Sequence, residues 1–255
     1  MISGQEQGLT SGDKALDALA RFEDKEDLES LKSILWFCLH SDWIVREHAL
    51  TLLQQKSLSF SLFAGRSLLY DPAPLVREGA ILCLVQKKTH LHTRLIYGML
   101  TDVNWTVRCE AAMCLAEMPV TYSLESIVAV YLAEEDEFVR RDLAYLIGKT
   151  KSTARANTLR ELLNTEQEPI ARVGLLATLH KLGEKDVLDP MLEYYNHEDR
   201  MLHRNLTNTF WDLNFTVKEK RHIVSTVSQT SLHLSVLADY RKLIDFWKLK
   251  PQVAK

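Results

Sequence analysis

The chain is poor in glycine, proline and cysteine. Nine glycines are spread over 255 residues, and none cluster into a loop able to cradle a phosphate. No GxSxG nucleophile elbow and no HExxH metal motif occurs. The four cysteines, Cys38, Cys83, Cys109 and Cys114, show no CxxC spacing, so neither a zinc knuckle nor a redox dithiol is indicated. Free thiols in a reducing cytoplasm are expected. The histidines do not converge: His90 and His92 are two apart, which on a helix sends them to different sides. Zinc wants three or four converging ligands, so no metal and no cofactor is expected. Long apolar runs are missing too. Ile127–Ala133 is the longest candidate, against the ~18 residues of a membrane helix. The first residues lack the basic and apolar regions of a signal peptide, and 1–12 reads as a flexible leader. Positive charge is not in excess: the net charge is −3. That argues against nucleic acid as a partner, because phosphate contacts demand clustered Lys and Arg. The balance is uneven, however. Residues 215–255 hold eight Lys/Arg against three Asp/Glu, leaving an acidic body and a basic tail.

What the chain does have is periodicity. It is 46% hydrophobic and 25% charged, as for an ordinary soluble protein. An arginine recurs at Arg46, Arg77, Arg108, Arg140, Arg172 and Arg204, in steps of 31, 31, 32, 32 and 32 residues. One residue earlier stand Val45, Val76, Val107, Val139, Ala171 and His203; seven later stand Leu53, Leu84, Leu115, Ile147, Leu179 and Trp211. A period of this length marks a repeat architecture. Four before each arginine stand Asp42, Ala73, Asn104, Asp136, Glu168 and Arg200. Asp and Asn there suit a helix N-cap, and Pro74 and Pro169 at the next position suit N1. Six before stand His40, Asp71, Asp102, Glu134, Glu166 and Glu198, acidic in five of six units. Acid in the turn and arginine in the helix form a ladder that fixes turn geometry and repeat spacing. The partner helices are expected at Ser59–Leu69, Leu91–Leu100, Ser123–Ala133, Thr153–Leu163 and Asp186–Tyr195. Each hairpin must stack on its neighbours to bury its apolar stripe.

The run Asp71-Pro72-Ala73-Pro74-Leu75-Val76-Arg77-Glu78-Gly79-Ala80 resembles the HEAT repeat in its short bacterial form, also found in phycobilisome-lyase-like proteins. The resemblance covers about residues 26–213. It departs in the sixth unit, where His203 replaces Val and Thr207 and Asn208 replace the small apolar pair. It implies an all-α fold: a right-handed α-solenoid of about six HEAT-like repeats. The solenoid is expected to fill 13–255 as one domain, with a helix at Asp13–Phe22 capping one end and 214–248 the other.

On the second helix of each unit, positions −1, +3, +4 and +7 from the arginine share the core face, and +1, +2, +5 and +9 lie opposite. By resemblance the opposite face is the concave one. It gathers Glu47, His48, Glu78, Leu82, Glu110, Met113 and Glu117, then Arg141, Asp142 and Tyr145, with Lys149 and Lys181 beyond. It is acidic through three units, with Leu82, Met113 and Tyr145 as an apolar strip. Either it is a solvated helix face or it is a groove for a protein with a basic patch. Trp43 and Trp105, at N1, are candidate exposed anchors or pack over the adjacent turn. Trp36, Trp211 and Trp247 are expected in the core or cap. The leading expectation is a non-catalytic cytoplasmic scaffold, adaptor or inhibitor, for example an immunity protein neutralising a toxin. The resemblance also admits an enzyme of bilin lyase or isomerase type, with no catalytic residue carried over, and a HEAT-like DNA glycosylase.

Overall fold

The computed structural model describes residues 12–228, 230 and 232–248. The expected leader lies, but for Gly12, outside them. The fold is all-α: among the described residues there are fifteen α-helices, two short 3₁₀ segments and no strand. Helix α1 is Gly12–Ala20. Six hairpins follow: α2 (Leu28–Phe37) with α3 (Trp43–Lys56), α4 (Leu58–Leu68) with α5 (Pro74–Val85), α6 (His90–Gly98) with α7 (Trp105–Ala116), α8 (Leu124–Ala133) with α9 (Glu137–Lys149), α10 (Arg155–Thr165) with α11 (Pro169–Lys181), and α12 (Leu188–Leu192) with α13 (Arg200–Trp211). Helices α14 (Val217–Val227) and α15 (Leu234–Phe246) close the sequence of elements. No described helix is long and apolar enough to cross a membrane.

The chain divides into two compact units, residues 1–122 and 123–255. In the first, α3 packs on α5 and α5 on α7, while α2 and α4 cover α3 and α6 packs on α7. The arginine register fixes which side chains meet. Val45, Ala49, Leu53, Val76, Ala80, Leu84, Val107, Ala111 and Leu115 are all fully buried. Each Val or Leu so buried contributes roughly 1.5–3 kcal/mol. Cys83 and Cys114 are buried as small hydrophobes, and burial pushes the Cys38 thiol up to about 12. In the second unit α9 packs on α11, α11 on α13 and α13 on α15. Gly174 sets the α9–α11 approach: a Cβ there would lie 2.8 Å from Arg141 Cα. Tyr195, Phe210, Phe215, Tyr240 and Trp247 gather in the terminal core, with Tyr195 and Phe210 edge to face.

The arginine ladder connects hairpins. Arg46 grips Asp71 of the next hairpin through Nε and Nη2, both at 2.7 Å, while Nη1 donates to the carbonyls of His40 and Ser41 in its own turn. Arg77 repeats this with Asp102 at 2.7 and 2.6 Å, and Arg140 with Glu166 at 2.8 and 3.1 Å. Arg108 and Arg172 donate to the carbonyls of Asp102 and Glu166 in their own turns. The acid also braces its own loop, since Asp71, Asp102, Glu134 and Glu166 each accept the backbone N–H two residues on. The carboxylate thus serves the preceding hairpin, and only its carbonyl serves the arginine of its own unit. These pairs are buried, unlike exposed surface ion pairs, which contribute little.

The sixth unit corrects the register. Helix α13 is capped by Asp199, so the fourth helical residue, where other units place arginine, is His203. Its N–H bonds to the Asp199 carbonyl just as that of Arg172 bonds to Glu168. Leu202, Leu206, Thr207 and Phe210 then occupy the core positions, all buried. Arg204 is exposed and stands 3.8 Å from Asp239. Glu198 is exposed, and the loop-bracing role falls to His197, whose Nδ1 accepts the Asp199 N–H. The last step is therefore 31 residues, and Arg204 and Glu198 are not part of the ladder.

Candidate functional site

A groove in the first unit builds up from the start of α3 and α5. Asp42 caps α3 by accepting the Ile44 N–H at 3.0 Å. Pro74 opens α5. The first two positions of each helix lie off the core stripe, so Trp43, Ile44 and Leu75 stay 41%, 44% and 47% exposed. One turn on come Glu47 and Glu78, and two turns on Thr51 and Leu82. Together they line a cavity of about 460 Å³ with Gly79 at its floor. Glu47 accepts a hydrogen bond from the Thr51 hydroxyl at 3.0 Å, and Glu78 accepts one from the Thr106 hydroxyl. Among the described residues neither carboxylate meets a lysine or arginine.

The other expected face residues of this unit flank the groove. Trp105 is 44% and Met113 53% exposed on α7. His48 is half-buried. Glu110 accepts a bond from the Cys114 thiol at 3.2 Å; burial first, and this carboxylate second, push that thiol far up. Glu117 faces Lys88 at 3.9 Å. Sequence reasoning missed Ile44, Leu75 and Thr106, all two residues before the arginine. For Ile44 and Leu75 the signal was there: an apolar residue repeated beside the cap but outside the core stripe. Trp36, expected in the core or cap, is exposed because it sits on the outer side of α2.

The second unit presents a different surface. Arg141 is spent on structure: its guanidinium holds buried Asp142 at 2.8 and 3.1 Å and donates to Asn205 at 2.6 Å. Neither offers a free charge. The Tyr145 ring carries the ammonium groups of Lys149 and Lys181, 4.9 and 4.2 Å from its centroid. They edge a cleft of about 500 Å³ that also includes Thr178, His180 and Lys185. Both lysines lie in the last turns of α9 and α11, where the negative end of a helix favours a cation. Burial lowers the pKa of His180, against the pull of Glu219 at 3.3 Å. The lysines of this cleft meet Tyr145 and Glu219, whereas Glu47 and Glu78 of the groove meet hydroxyl groups. Among the described residues, no three His, Cys, Asp or Glu side chains group where they could hold a metal ion.

Stacked helical hairpins tied by buried arginine pairs define a helical-repeat protein. Within it, residues 93–179 match the family model described as HEAT repeats. Two curated relatives are similar to part of the chain. Deoxyhypusine hydroxylase of Saccharomyces cerevisiae is 34% identical over 70 residues, covering 27% of this chain and 22% of the yeast enzyme. Deoxyhypusine hydroxylase of Candida albicans is 38% identical over 77 residues, covering 28% of this chain and 24% of its own length. The matches thus span less than a quarter of either relative.

Proposed function

We propose that this chain is a non-catalytic docking protein, an adaptor or inhibitor, that receives a partner protein on the face of α3, α5 and α7. One observation carries the reading. Three large apolar side chains, Trp43, Ile44 and Leu75, stand exposed beside two carboxylates that meet no lysine or arginine among the described residues, around one cavity. Apolar anchors supply affinity and the carboxylates select a partner with a basic patch. A cytoplasmic setting belongs to this reading, supported by four free cysteines, three of them buried. Toxin neutralisation is one instance of such a role. The double charge reversal Glu47→Lys/Glu78→Lys tests it. Partner capture should fall at least about tenfold while the melting temperature holds, since both residues lie off the core stripe. Unchanged capture sinks the proposal.

The hydroxylase matches favour a second reading, in which the repeats contribute to an enzyme that acts on deoxyhypusine. Incubation with a deoxyhypusine-bearing protein, dioxygen and a reductant, followed by mass analysis, decides it: a gain of one oxygen atom, about 16 Da, on that residue supports the enzyme, and an unchanged mass counts against it.

A further inference from the structure

Resting on the docking reading, we infer that the groove between α3 and α5 takes one amphipathic helix of the partner, with an apolar ridge and lysine or arginine beside it. The pitch of the lining points there. On α3, Trp43, Glu47, Thr51 and Gln54 follow one ridge at a turn each; on α5, Leu75, Gly79 and Leu82 do the same. Two parallel helical ridges accept a third helix ridge into groove. An extended strand would bring backbone N–H and C=O groups to a wall with no sheet edge to pair them. Trp43 to Gln54 spans about 16 Å at helical rise, which sets the occupant at about three turns.

The groove also has an ordered chemistry along its length. Its open end is apolar, at Trp43, Ile44 and Leu75. Its middle is acidic, at Glu47 and Glu78, both hydroxyl-bonded and so held in place. Gly79 lines the groove without a side chain, and a Cβ added there would touch Leu50 alone, 3.4 Å from its Cδ1. The occupant therefore places one large apolar side chain over Gly79, and a cation a turn away between Glu47 and Glu78. Position +2 carries a side chain in the first, third and fourth units, His48, Glu110 and Asp142; it is glycine again at Gly174, where the α9–α11 approach leaves no room for a Cβ.

Gly79 supplies a test that leaves charge untouched. Substitution Gly79→Met fills the floor on a helix that methionine favours, and Gly79→Ala fills it partly if the larger residue impairs folding. Two synthetic helical peptides of about four turns serve as probes, each with leucines at i, i+4 and i+7. One carries flanking lysines, the other glutamates at the same positions. Binding to the full chain is read by titration calorimetry, with circular dichroism confirming the fold of each variant. The lysine peptide should bind at least about tenfold tighter than the glutamate peptide, and Gly79→Met should weaken it at least about tenfold. Glu47→Gln/Glu78→Gln should erase most of the difference between the peptides. If both peptides bind equally and both lose affinity in Gly79→Met, the docking site stands and the cationic helix falls. If neither binds, or Gly79→Met changes nothing, both fall.

Discussion

At Arg77 one guanidinium does three things. It donates to the Asp71 carbonyl at 2.8 Å and to the Pro72 carbonyl at 3.1 Å in its own turn, and reaches the next hairpin through both oxygens of Asp102. The side chains of that pair are 9% and 7% exposed, so the charges have little water to fall back on. Removing one partner leaves the other uncompensated. Asp102→Ala should cost about 3–5 kcal/mol in urea unfolding; a cost below about 1 kcal/mol would show that the pair is solvated. Acid should weaken the same framework. Burial pushes Glu166 up, but the bonds from Arg140, Tyr131 and the Glu168 N–H outweigh it and hold the carboxyl below its ordinary 4.5. Glu219 is held at about 2, its burial overcome by Thr216, Lys185 and His180. Both folded-state values lie below the unfolded ones, so this stability is complete above 4.5 and is lost as the pH falls through the folded values. His180, whose folded value lies below 6.5, adds to the loss from 6.5 downward. Unfolding free energy measured from pH 7 to 2 should therefore fall steadily, and Glu219→Gln should reduce the slope between pH 4.5 and 2.

At the scale of the helices, much was legible and one register was not. Caps, Pro at N1 and the apolar stripe located α3, α5, α7, α9 and α11 within a residue or so, because each signal is local. Helix α12 was the harder one: Pro190 falls inside it, and only five residues stay α-helical before a 3₁₀ turn takes over. The sixth arginine misled because the pattern followed residue type. Counting the buried positions Leu202, Leu206 and Phe210 gives the true register, with His203 in the arginine's place. Measured stabilities can check this. Arg172 bonds to Tyr194, Leu163 and Glu166, and Arg172→Ala should cost about 2 kcal/mol. Arg204→Ala should stay within about 0.5 kcal/mol. Equal costs would restore the original register.

For the whole molecule, the face positions counted from the arginines were readable, but their roles were not. Glu47, Glu78 and Leu82 meet at one cavity because hairpin stacking puts α3 beside α5. Arg141 and Asp142, which the same counting assigned to that face, neutralise each other instead, a side-chain choice that spacing alone does not reveal. The α3–α5 groove and the cleft at Tyr145 make opposite claims on function, and one experiment separates them. Amide hydrogen exchange of the full chain, with and without the lysine-bearing helical peptide, maps the contact directly. The account predicts new protection confined to 43–54 and 75–85. Protection centred on Tyr145, Lys181 and Lys185, or none at saturating peptide, would contradict it.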